Sequence, residues 1–102
     1  MSILRAATVQ FQHLPGATEK NMGIVASFVR KAAEDGVKLI VFPECCLSGY
    51  WHLRKLDRNG LGQLAEAVPD GPSTRKLQEL ATAYQMTVGA GLVEEAADGR
   101  LY

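Results

Sequence analysis

The chain has 102 residues, 47% hydrophobic, 22% charged and 7% aromatic, and its eleven basic side chains balance eleven acidic ones. That is an ordinary globular composition, long enough for a core with little margin. It excludes an electrostatic footprint for nucleic acid or an anionic membrane, and no apolar run reaches membrane-spanning length.

Ile3 to Phe11 (ILRAATVQF) is short, apolar and partly β-branched, and predicts a first strand broken by Leu14-Pro15-Gly16. Thr18 is placed to cap a helix from about Glu19 to Asp35, with Met22, Val25, Val29 and Ala32 in a stripe at helical spacing, widened by Phe28 and Ala33. Gly36 stops it. Val37 to Phe42 predicts a second strand, apolar on both faces as a central parallel strand is. Leu61, Leu64, Ala65 and Val68 suggest a short helix weakened by Gly60 and Gly62. After a turn at Pro69–Pro72, a helix begins at Pro72 or Ser73 and carries Leu77, Leu80, Ala81 and Tyr84 on one face. Met86 to Val93 (MTVGAGLV) predicts a third strand, whose glycines point to a bulge or a close neighbouring backbone. Strands alternating with helices predict an α/β sheet with right-handed crossovers.

Asp98-Gly99 is a hairpin signal followed only by Arg100-Leu101-Tyr102. The order is therefore βαβ(α)αβ and then a truncated hairpin, and residues 1–102 are expected to be an amino-terminal, incomplete segment of a single domain. The start, MSILRAATVQF, lacks the pattern of a signal peptide. The adjacent Cys45 and Cys46 make no disulfide framework, so a reduced, cytoplasmic protein is expected.

Glu44 is the candidate for chemistry. It follows Leu39-Ile40-Val41-Phe42 and Pro43, at the carboxyl end of the second predicted strand, where open α/β sheets bind ligands. Pro43 fixes the backbone and donates no ladder hydrogen bond. Partly enclosed beside Val41 and Phe42, this carboxylate would be shifted upward and suited to act as a general base. The competing reading is a glutamate that caps the next segment or pairs with a lysine.

VFPECCLSGY, with Gln10 ending the first strand region, Asn21 on the helix, DGVKLIVFPE, and Gly71-Pro72 leading into a helix and MTVGAGLVEE, resembles the nitrilase superfamily of carbon-nitrogen hydrolases. The resemblance spans the chain and matches the amino-terminal part of that family's α-β-β-α sandwich. It implies hydrolysis of a non-peptide amide or nitrile bond by a Glu-Lys-Cys triad, with Glu44 as general base and no metal or organic cofactor. The lysine and the nucleophilic cysteine would lie beyond Tyr102, since none of Lys20, Lys31, Lys38, Lys55 and Lys76 sits in a matching motif. This chain alone, with one third of the triad, is expected to be inactive. The resemblance also implies a small-molecule substrate and a homo-oligomer, with no nucleic acid or membrane partner.

Alternatives exist for the remaining polar residues. Cys45 or Cys46 with His13 or His52 could form a nucleophilic pair, although free cysteine is commonly a small buried hydrophobe. Cys45, Cys46 and His52 lack the spacing and the fourth ligand of a metal site, and Gly89-Ala90-Gly91 lacks the third glycine of a dinucleotide loop. Tyr50 is a candidate substrate-binding residue, Trp51 is expected to pack its loop onto the helices, and Arg54, Lys55 and Arg58 form a solvated face. The rival functions are a small non-catalytic α/β binding module or one piece of a split enzyme.

Overall fold

The computed structural model describes residues 2–102. In chain order the elements are β1 (Ala6–Thr8), α1 (Thr18–Glu34), β2 (Leu39–Val41), α2 (Tyr50–Leu53), α3 (Arg58–Leu64), α4 (Pro72–Tyr84) and β3 (Thr87–Gly89). The strands form one parallel sheet in the order β1-β2-β3, with Ala7, Ile40 and Val88 in register across it. All three predicted strands exist but are shorter than their apolar runs. The ladder runs one bond past two of them, with the Val9 and Phe42 amides donating to the Val41 and Gly89 carbonyls, and the apolar pattern continues beyond that point.

Both crossovers step across the sheet in the same direction, so right-handedness places α1 and α4 on one face, where they pack together. That face is the core. Val25 and Val29 of α1, Ile40 of β2, Leu80 of α4 and Met86 before β3 bury against one another. At one end of this layer Phe11, Phe28 and Phe42 meet with ring centroids 6.3–6.5 Å apart, Phe42 edge-on to both partners. The opposite face of the sheet is open, and Val41 there is 43% exposed. β2 is thus central in the sheet while only its Ile40 side is buried, because the described residues supply helices to one side alone.

The helix ends depart in detail from expectation. Thr18 is the first residue of α1 instead of its cap; Ala17 occupies that position and makes no side-chain capping bond. Asp57, which patterning did not single out, caps α3 by accepting from the Gly60 amide at 2.8 Å. α4 starts at Pro72, as expected, and its second amide, of Ser73, donates to Glu66 Oε1 at 2.7 Å. Glu66 is also tied by its backbone to Val93 and Glu95, so one residue holds the helix start against the segment leaving β3. The Asp98-Gly99 turn does return the chain: Glu94 and Tyr102 exchange two backbone bonds of 2.8 and 2.9 Å.

Candidate active site

Three segments meet at the carboxyl ends of the strands: residues 9–17 after β1, 42–49 after β2 and 90–93 after β3. Asn21, on the first turns of α1 and fully buried, binds the first two together. Its Nδ2 donates to the Leu14 carbonyl at 2.8 Å and to the Leu47 carbonyl at 2.9 Å, and its Oδ1 accepts from the Leu14 amide at 2.8 Å. A carboxamide is the side chain that can donate twice and accept at once from one spot, which is why an asparagine suits this place. The Gly16 amide adds a bond to the Ser48 carbonyl at 2.9 Å.

The two histidines lock the same pair of loops. The His13 ring lies where a Cβ on Gly49 would stand, 2.6 Å from Cδ2, and the His52 ring covers Gly16 in the same way, with Nε2 at 2.9 Å. Each glycine has a left-handed backbone as well, φ +94° at Gly49 and +66° at Gly16, so conformation demands glycine there, and the histidine ring fills the space its missing side chain leaves. His13 and His52 are therefore packed on loop backbone, which leaves the pairing of either with a cysteine without support.

Glu44 stands at the carboxyl end of β2, as the sequence indicates, but it is exposed where partial enclosure was expected. The physical reason is local. Phe42 turns into the helical layer and is buried, Pro43 ends the ladder, and the following turn carries the next side chain outward. Cys45 then adopts φ +51°, and its carbonyl accepts from the Ser48 and Gly49 amides at 3.3 and 2.8 Å. The strand does not stay extended, so Cys46 does not share a side with Glu44; it is fully buried, with Sγ 3.8 Å from the Gly91 carbonyl oxygen. Burial, and then the negative charge of Glu44, push the Cys45 thiol up from its ordinary value; burial does the same to Cys46. Both shifts disfavour the thiolate, the form a nucleophile needs. Among the described residues no group of three histidine, cysteine or acidic side chains is arranged to hold a metal ion.

Trp51 does not pack its loop onto the helices. It is 65% exposed, edge-on to Tyr50 with centroids 5.9 Å apart, and the Arg54 guanidinium lies 4.8 Å from its ring centre. The four residues of α2 have no buried face, so they present this cluster outward. Tyr50 is 42% exposed on the same surface. Arg58, expected to be solvated, is exposed while donating to the Gly99 carbonyl at 3.0 Å. Sequence patterning places Asn21 on the helix without giving it a task; a polar residue on the apolar stripe, one place before Met22, was the available signal. The packing of the two histidines left no such signal, because it depends on glycines 36 residues away in each case, from His13 to Gly49 and from Gly16 to His52.

A parallel sheet with a carboxylate at the end of its central strand, and loops bound around it by a buried asparagine, is the setting in which the family of this chain becomes clear. The model of the carbon-nitrogen hydrolase family matches residues 5–102, and the chain belongs to that family. Among its relatives, the omega-amidase NIT2 of Homo sapiens is 32% identical over 102 residues, all of this chain and 34% of the relative. The NIT2 of Danio rerio is 34% identical over 105 residues. A Mycobacterium tuberculosis protein described as a hydrolase, Rv0480c, is 35% identical over 83 residues, 79% of this chain and 26% of its own. The crystal structure of Saccharomyces cerevisiae Nit3, a member of the nitrilase superfamily, superposes on 97% of this chain and 37% of its own with a TM-score of 0.77 at 24% identity, and so shares the fold. The chain spans about a third of the length of the curated relatives it matches.

Proposed function

We propose that the intact protein is an amidase that releases ammonia from the terminal carboxamide of a small molecule, with Glu44 as its general base. The observation that carries this is the position of Glu44: a carboxylate presented outward from the carboxyl end of the central strand, on a loop fixed both by directional bonds and by the burial of Cys46 and Leu47 beside it. The names of the NIT2 relatives favour an ω-amide over a nitrile.

In the reaction, Glu44 accepts the proton of a cysteine thiol as sulfur bonds to the amide carbon, and a lysine cation stabilises the oxyanion. Glu44 then returns the proton to the departing nitrogen as the C–N bond breaks, giving ammonia and a thioester. A water molecule attacks the thioester with Glu44 again accepting a proton, which restores the thiol and gives a carboxylic acid. The lysine and cysteine come from outside these 102 residues, and this chain by itself is inactive. Tyr50, exposed beside Trp51, orients a polar group of the substrate. Cys45 and Cys46, both free thiols, have a structural role; the setting is reduced and cytoplasmic, and the working protein is a homo-oligomer.

The test is ammonia release by the intact protein from succinamate, a short ω-amide, with butyronitrile alongside. Glu44→Gln should cut turnover of succinamate by ~10²–10⁴-fold, the range of a lost general base, with unchanged unfolding because the side chain is exposed. Turnover within tenfold of wild type would rule out the base role. Preference for the nitrile would move the proposal to nitrile hydrolysis.

A further inference from the structure

We propose that Gly91 is a positioning residue for Glu44: its bare backbone is the seat on which residues 43–46 rest, and the height of that seat fixes where the carboxylate stands. The inference rests on the reading of Glu44 as the base.

The ladder between β2 and the chain leaving β3 shows how the seat is built. The Phe42 amide donates to the Gly89 carbonyl at 2.8 Å, and the Leu47 amide donates to the Gly91 carbonyl at 3.4 Å. The two acceptors are two residues apart and the two donors five, so Pro43, Glu44, Cys45 and Cys46 loop out between fixed feet, as in an enlarged bulge. Pro43 has no amide to rejoin the ladder, and the Cys46 thiol lies over the same Gly91 carbonyl, 3.8 Å away.

Underneath this excursion lies the Gly91 α-carbon. A Cβ there would stand 2.4 Å from the Cys45 amide nitrogen and 3.2 Å from both the Cys45 α-carbon and the Glu44 carbonyl carbon. All three are backbone atoms, so no flexible side chain can yield. Unlike Gly16, Gly36, Gly49 and Gly99, Gly91 does not have a left-handed φ. Its conformation therefore admits other residues, and only space requires glycine. Directly above, Cys45 holds φ +51°, a region that costs a residue with a Cβ and persists only when its surroundings over-determine it. Strained backbone and forced contact fall on the residue adjacent to the base. A methyl group at position 91 lifts the Glu44–Cys45 peptide and displaces the carboxylate by a distance that general-base catalysis does not tolerate.

Gly71 is the comparator. A Cβ on it would also strike backbone, 2.5 Å from the Ala67 carbonyl oxygen, but at the start of α4 instead of beneath the base. The experiment measures kcat and KM for succinamate across pH, with unfolding in parallel, for intact wild type, Gly91→Ala, Gly71→Ala and Glu44→Gln. Gly91→Ala should lower kcat at least tenfold with KM within threefold, and shift the acidic limb of the kcat profile. Gly71→Ala, at matched loss of stability, should keep kcat of the folded enzyme within twofold. A Gly91→Ala kcat within twofold of wild type overturns the proposal, as does a loss that follows the folded fraction alone. Should Gly91→Ala not fold, Cys45→Val and Cys45→Asn decide, since asparagine tolerates the left-handed region and a β-branched residue does not. The valine variant should be at least fivefold slower than the asparagine one, and equal rates overturn the proposal. An active Glu44→Gln would remove the base and the seat together, whereas an inactive Glu44→Gln beside a fully active Gly91→Ala removes the seat alone.

Discussion

The helical face of the sheet and the loops at its carboxyl end share one core but differ in what they add to it. Beneath the sheet, Val25, Val29, Ile40 and Leu80 are held by apolar burial, which has no direction and accepts any side chain of similar shape and volume. At the strand ends, three bonds to one buried asparagine, two histidine rings on glycine backbones and a carbonyl seat at Gly91 set positions individually. The loops share in the burial, since Phe42, Cys46 and Leu47 belong to the same core, but they add directed contacts that the helical face lacks, and these set geometry. A group that must meet a proton within hydrogen-bond reach belongs on the loops, with the helical face as its foundation.

The sharpest way to test this division is Asn21→Leu, which keeps the volume and removes the bonds. It leaves the Leu14 amide and the carbonyls of Leu14 and Leu47 without a side-chain partner. Only the Leu47 carbonyl is left buried without a partner, at ~1–3 kcal/mol. Leu14 is 44% exposed and its carbonyl still accepts from the Ala17 amide. With a smaller cost at Leu14, the loss should be about 2–4 kcal/mol in chemical denaturation of the intact protein. A loss under about 1 kcal/mol, the net worth of a single ordinary hydrogen bond, would mean that the loops are held by packing alone. Ile40→Val probes the other side. Ile40 is 1% exposed and lies at the centre of the sheet, yet the change should cost only about 0.5–1.5 kcal/mol and leave kcat unaltered. A marked drop in kcat would show that the helical face and the loops are not separable.

Smaller effects sharpen the contrast. Gly23 is exposed within α1, and nothing lies within 4 Å of the point where a Cβ would stand, so Gly23→Ala should raise stability by about 0.5–1 kcal/mol, in contrast to the loss at Gly91. A loss at Gly23 would mean that contact distance is a poor guide to which glycines matter. The thiols give the smallest effect. Because burial raises Cys46 and Cys45 above the ordinary thiol value, the folded chain holds protons that the unfolded chain releases. Stability is therefore full below the unfolded thiol range, ~8.5, and declines as pH rises from there through the raised folded values. The midpoint of unfolding should fall between neutral and alkaline pH with a shallower slope in Cys46→Ala, and equal slopes would remove the thiol from the account.

Much of the architecture was legible because local patterning and global packing agree. The stripe Met22, Val25, Val29 and Ala32 is buried as a set, since a 17-residue helix has one face to cover and these positions share it. Pro72 starts α4 and the Asp98-Gly99 turn returns the chain, each for a reason contained within a few residues. The sequence by itself thus determined the order of strands and helices, the covered face of each helix, the glutamate at the end of β2 and, through its motif, the family. What it did not determine were relations between distant segments: the exposure of Glu44, the outward cluster of Tyr50, Trp51 and Arg54, the histidines on Gly16 and Gly49, and the contact between Gly91 and Cys45. Periodicity reports what one segment needs to bury, whereas the space left at a backbone atom is set only when strands far apart in sequence are laid side by side.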